Sequence, residues 1–154
     1  MQVKHHAAVL KRLMDAFDFA RKEDVLVGVP QENSGRSDGI TNAELMYIHT
    51  YGSPANGIPA RPTIEPVVRD PANRATLQRI MKGSLTSAFK GNIPGARSGK
   101  ARAGMMAVNL IKARFGSAAL APNSPITIER KGSSAPLIDT GALRNSITYV
   151  IRKK

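Results

Sequence analysis

Apolar residues recur at Ala7, Leu10, Leu13, Met14, Phe17 and Ala20 between Val3 and Arg21. That three-four spacing predicts an amphipathic helix with one apolar stripe, expected to face the core. Asp24 to Val29 follows as a β-branched run that Pro30 ends, which predicts a buried strand. A second strand is predicted over 146–152, where Ser-Ile-Thr-Tyr-Val-Ile-Arg alternates. Between them the pattern is helical. Thr41 and Glu44 form a capping box for a helix that Gly52 ends after Tyr51. Pro54, Pro59 and Pro62 stiffen an extended segment, and a short helix fits Thr63 to Arg69. Asp70 and Pro71 open a helix to about Lys90. A further helix fits about Lys100 to Phe115, with a wide apolar face ended by Gly116.

The last segment is punctuated closely. Ser124-Pro125 reads as a cap and first helical residue, with Gly132 as the stop, although 126–130 also alternates like a strand. Asp139-Thr140-Gly141 reads as the cap of another short turn. The expected fold is α+β, with a small antiparallel sheet packed against three to four main helices. The polar stretches near 30–40 and 91–100 read as mobile surface loops.

At 154 residues the chain is expected to be a single domain. It lacks Cys, which excludes disulfides, thiol catalysis and Cys-based zinc sites. No apolar run reaches membrane-span length and no signal peptide is visible, so no membrane association and an intracellular place of assembly are expected. The formal charge of +12 is unevenly spread. Residues 1–60 hold six basic and seven acidic side chains, whereas 61–114 hold eleven basic ones against Glu65 and Asp70. Such a field favours an anionic partner, either nucleic acid or an acidic protein surface.

Candidate chemistry is sparse. The glycines at 91–99 lack phosphate-loop spacing. Asp139-Thr-Gly occurs once, whereas aspartic-protease chemistry needs two carboxylates sharing a proton. His49 has no nucleophile or carboxylate at a suggestive spacing, and its place is that of a residue near a helix C-terminus. The basic helices carry no helix-turn-helix, zinc-finger or RNA-recognition signature. No enzyme and no cofactor are expected.

Three motifs in order carry a family resemblance: 42–52 (Asn-Ala-Glu-Leu-Met-Tyr-Ile-His-Thr-Tyr-Gly), 57–62 (Gly-Ile-Pro-Ala-Arg-Pro) and 136–147 (Pro-Leu-Ile-Asp-Thr-Gly-Ala-Leu-Arg-Asn-Ser-Ile). In these the chain resembles small virion morphogenesis proteins of tailed bacteriophages, the neck and tail-completion group of lambdoid and Mu-like long-tailed phages. Thr50 and Thr63 depart from the pattern, where an acidic and an aromatic residue are usual. The resemblance implies a structural subunit that forms a six-fold ring between head connector and tail tube, assembled in the host bacterial cytoplasm. Implied partners are further copies of itself, the head connector or stopper, and the tail terminator or tube, with passing contact with phage DNA. Motif residues His49, Gly52, Ile58, Pro59, Arg61, Pro62 and Arg144 are then candidates for assembly contacts. A tail-terminator ring is the nearest alternative, and a basic nucleic-acid-binding protein a further one.

Overall fold

The computed structural model describes residues 2–37 and 39–154, with side chains described from His6 onward. His5 and Asp38, the latter in the loop expected over 30–40, therefore lie outside the described side chains. Helix α1 (Gln2–Lys22) leads directly into strand β1 (Glu23–Gly28). Helices α2 (Asn42–Tyr51), α3 (Ile64–Arg69), α4 (Pro71–Phe89) and α5 (Ile93–Arg114) follow. Two short helices, α6 (Pro125–Lys131) and α7 (Ala142–Ser146), precede strand β2 (Thr148–Lys153). β1 and β2 pair antiparallel, from Glu23 opposite Lys153 to Gly28 opposite Thr148. The α+β class and the antiparallel pairing of the two distant strands agree with the sequence pattern.

Helix α5 is the centre. It runs against α4 on one side and against one face of the two strands on the other. Val108 and Ile111 of α5, with Phe115 just after it, meet Met46, Val67, Leu143 and Ile147 in the main core. A smaller cluster joins Ala16 and Phe19 of α1 to Ala88 of α4 and Ala96 of α5. Small residues set how closely these layers approach. A Cβ on Gly99 would lie 2.9 Å from the Ser84 Cα, and one on Gly104 would lie 2.5 Å from the Tyr149 ring. The Ser84 hydroxyl donates to the Ala96 carbonyl at 2.6 Å, which satisfies a buried hydroxyl at the same crossing.

Three expectations are corrected. The connector expected over 91–100 is only Gly91 and Asn92, because residues 93–99 are the first turns of α5. Asn92 caps that helix by accepting from the Gly95 N–H, and Pro94 sits in the first turn, where no donor is needed. Gly95 and Gly99 are there for close approach to the Asn92 side chain and to Ser84, whereas Gly91, at φ 84°, does end α4. Secondly, Asp139 does not cap α7. Gly141, at φ 82°, occupies the cap position, and the Thr140 hydroxyl accepts from the Ala142 N–H at 3.3 Å. The caps expected at Thr41 with Glu44, at Asp70 and at Ser124 all form, and 126–130 is helical.

The third correction concerns α1. Its apolar stripe does not face the core. Leu10, Met14 and Phe17 are 59%, 61% and 62% exposed, and Leu13 is also exposed. The helix instead buries Ala16 and Phe19, roughly 120° round its axis at 3.6 residues per turn. From His6 to Asp15 only Val9 is even partly covered.

What fixes this orientation is Lys100, 2% exposed. Its ammonium donates to the carbonyls of Phe19 and Glu23, both at 2.8 Å, and lies 3.8 Å from the Phe19 ring centroid. The Phe19 carbonyl belongs to the last turn of α1, where no helical N–H is available, and the positive charge also suits the negative helix end. Glu23, buried beneath, receives two hydrogen bonds from Arg97 and lies 3.8 Å from the Lys100 ammonium. Burial lowers the Lys100 pKa, while the nearby Glu23 and Asp24 carboxylates act to raise it.

Candidate functional site

The three motifs come together around one groove of about 1230 Å³. Its first wall begins at the end of α2. Gly52 takes φ 76° there, and a Cβ would fall 2.8 Å from both the Ala60 nitrogen and the Ile58 oxygen. Only glycine lets the chain turn back so tightly. Ser53 and Ile58 exchange both backbone hydrogen bonds across the turn, at 2.8 and 3.0 Å. The Arg61 N–H then donates to the His49 carbonyl at 2.6 Å, one of the unpaired carbonyls of the last turn of α2. His49, Gly52 and the 57–62 segment are thus one folded unit.

Arg61 ties this unit to the opposite wall. Its side chain is buried, with Nε donating to the Ala121 carbonyl and Nη2 to the Pro122 carbonyl, both at 2.7 Å. No carboxylate pairs with it among the described residues, and burial lowers its pKa. Those two carbonyls precede α6, so Arg61 sets where α6 lies. On α6, Lys131 donates to the Ala135 carbonyl at 3.0 Å, while Arg130 is exposed. Burial, then the Arg61 and Lys131 charges, lower the His49 pKa below the ordinary histidine value. The His49 Nδ1 is buried and meets no hydrogen-bond partner among the described residues.

The third motif supplies the floor. Leu137 lines the groove at φ 62°, the one non-glycine residue with positive φ among those described. A branched side chain in this region is strained by about 1 kcal/mol or more. Its position is imposed by its neighbours: Pro136 is buried, its carbonyl accepts from the Gly116 N–H, and the Leu137 side chain packs on the main core. Asp139 and Gly141 also line the groove. Asp139 is its single carboxylate among the described residues, so the pair that protease chemistry requires is not assembled there.

Of the motif residues, His49, Ile58, Pro59 and Arg61 line the groove, and Gly52 shapes its rim. Pro62 is not part of the lining. Arg144 points elsewhere, donating from Nε to the Lys112 carbonyl at the end of α5. Sequence reasoning missed Lys131 and Arg130, whose charges belong to the groove only because Arg61 positions α6. Among the described residues no group of three His, Cys, Asp or Glu side chains could hold a metal ion, and no helix is long and apolar enough to cross a membrane.

A second uncovered surface is the outer face of α1, carrying Leu10, Leu13, Met14 and Phe17. Phe89, from the end of α4, extends it by an edge-on contact with Phe17 at 5.6 Å between ring centroids. The α1 face and the groove share no residue. No family model, curated protein or solved structure matches the chain.

Proposed function

We propose that this chain is a structural subunit of a phage neck, a tail-completion or head–tail joining protein that works by packing into a ring. The observation that carries the reading is the uncovered apolar face of α1. An isolated soluble subunit rarely leaves aligned Leu, Leu, Met and Phe side chains in water, and such a patch marks a protein contact. A ring needs two different surfaces on each subunit, one meeting the other on the next copy or on a neighbour. The α1 face supplies one such surface, and the motif-lined groove, which shares no residue with it, supplies another for a neighbouring protein.

Magnitudes bear on the choice. Covering the four α1 side chains contributes about 1–2 kcal/mol each. Association costs roughly 4–15 kcal/mol in lost freedom, so one α1 contact does not hold a dimer. Closing a ring adds a contact for every subunit without a further free end, which suits individually weak surfaces. The resemblance in the three motifs adds the setting, and their convergence on one groove supports reading them as a unit.

The test is direct. In particles carrying a labelled copy, the label is expected at the junction of head and tail, with a ring traced there by cryo-EM. Localisation elsewhere, or absence from particles, overturns the proposal. A second reading, binding to a nucleic-acid backbone, is favoured by exposed Arg74, Arg79, Lys82 and Arg102, for which no ion pair forms among the described residues. Backbone binding weakens steeply with salt, whereas an apolar ring contact does not.

A further inference from the structure

We infer that the groove between the α2–α3 connection and α6 is a docking site for an extended acidic and apolar segment of a different protein. The inference extends the assembly reading above by giving the chemistry of one partner.

The groove is cationic by construction. Arg61, Arg130 and Lys131 line it, against Asp139 as the one carboxylate among the described residues. None of the three cations is ion-paired among those residues, and two of them are held in place through backbone carbonyls. No carboxylate among the described residues neutralises their charges. The His49 imidazole also lines the groove and is kept toward its neutral form by burial and by two of these charges.

Aliphatic side chains, Leu45, Ile58, Pro59 and Leu137, share the rest of the lining with uncharged polar ones such as Asn56, Asn123 and Thr127. That mixture decides between the anionic ligands. A nucleic-acid strand is held by cations with aromatic stacking platforms. Here Tyr51 is the one aromatic lining residue among those described. A peptide that alternates carboxylate and apolar side chains matches both halves of the lining.

A second copy of the chain is a poor occupant. Seven of its eleven carboxylates are taken up in ion pairs or helix caps. Of the others, Asp38 lies outside the described residues, and Glu32, Glu129 and Asp139 are separate along the chain. The exposed α1 helix is itself basic, with five Lys or Arg residues against Asp15 and Asp18, so like charge opposes its entry. The occupant is therefore a different chain.

The probe is a short fluorescein-labelled peptide alternating Glu with Leu and Val, titrated with the full-length protein by fluorescence polarisation at physiological salt. Binding is expected, and replacing every Glu by Gln should weaken it by at least about tenfold. R130E/K131E should weaken it similarly, while R74E/R79E, an equal charge change on α4, should not. R130E alone breaks no bond in the structure and serves if the double variant does not fold. Failure of the Glu peptide to bind overturns the inference. So does an equal loss in R74E/R79E, which would reduce the effect to net charge. Displacement by single-stranded DNA as effective as by unlabelled peptide would assign the groove to nucleic acid instead. None of these outcomes bears on whether the chain sits in a ring at the neck, which particle imaging decides independently.

Discussion

Helices α1 and α5 are nearly equal in length, 21 and 22 residues, and opposite in use. α1 has the clean apolar stripe and leaves it in water. α5 has a diluted pattern with three glycines and five Lys or Arg residues, yet it is the axis on which α3, α4 and both strands pack. The difference lies in what each surface must meet. Against its own neighbours α5 uses small residues, Ala96, Gly99, Ala103 and Gly104, to bring backbones close. α1 leaves Leu10, Leu13, Met14 and Phe17 largely in water and buries only Ala16 and Phe19, against α4 and α5. Stripe strength therefore measures how much apolar surface a helix offers, and not whether its own chain takes the offer.

The sharpest way to break this comparison is to enlarge a small residue on α5. In Gly104→Leu the new side chain meets the Tyr149 ring and Cβ at under 3.0 Å, and Tyr149 is held by its strand. Overpacking at such a site costs about 3 kcal/mol, a large share of a small domain's stability. Urea unfolding should show a midpoint far below wild type, or no folded protein. A fully stable Gly104→Leu would mean that the sheet is not seated on α5 as described.

Next in size is Lys100→Met, which tests what fastens α1 to α5. The substitution leaves the Phe19 and Glu23 carbonyls without their donor, and Glu23 buried with Arg97 alone. Removing one member of a buried charge network costs about 3–5 kcal/mol. The loss should appear in thermal melts, and hydrogen exchange should rise first in the last turns of α1. Unchanged exchange there would remove the lysine from its clamping role.

These two sites also mark where the sequence stops being legible. Caps were readable because Thr41 with Glu44, Asp70 and Ser124 act on amides three residues away. Both strands were readable from alternation and β-branching. The start of α5 was not, because Gly95 and Gly99 lower helix propensity and their packing reason lies across space, at the Asn92 side chain and at Ser84. Burial of Lys100 leaves no trace either, since its partners are carbonyls that every residue possesses. For the groove, the motif residues stood out, but Arg130 and Lys131 join them only through two backbone carbonyls sixty residues beyond Arg61.

On the α1 side the expected stability effect is small. Leu10→Lys and Met14→Lys alter side chains that are mostly in water, so stability should stay within about 0.5 kcal/mol of wild type. Oligomers, followed by native mass spectrometry, should be lost. If instead the isolated subunit is destabilised by 2 kcal/mol or more, about the cost of losing a buried aliphatic side chain, α1 packs its stripe at home after all.

The finest test uses pH and compares His49 in the groove with the rest of the molecule. The folded-state pKa of His49 lies below its unfolded value, because burial and the Arg61 and Lys131 charges oppose protonation. The unfolded chain then binds more protons than the folded one between those two values, so stability rises with pH across that window. The contribution is fully present above the unfolded value of about 6.5 and is lost as pH falls through the folded one. Asp18 and Glu44, also lowered, titrate in the carboxylate range and leave this window to histidine. Chemical unfolding at pH 7.5 and at pH 5 should give lower stability in acid, with the slope reduced in His49→Gln. Docking of a carboxylate peptide should oppose that shift, because an anion beside His49 raises its pKa, so binding should take up protons as the pH is lowered. A His49→Gln variant with an unchanged slope would show that neither burial nor the groove's cations lower the His49 pKa.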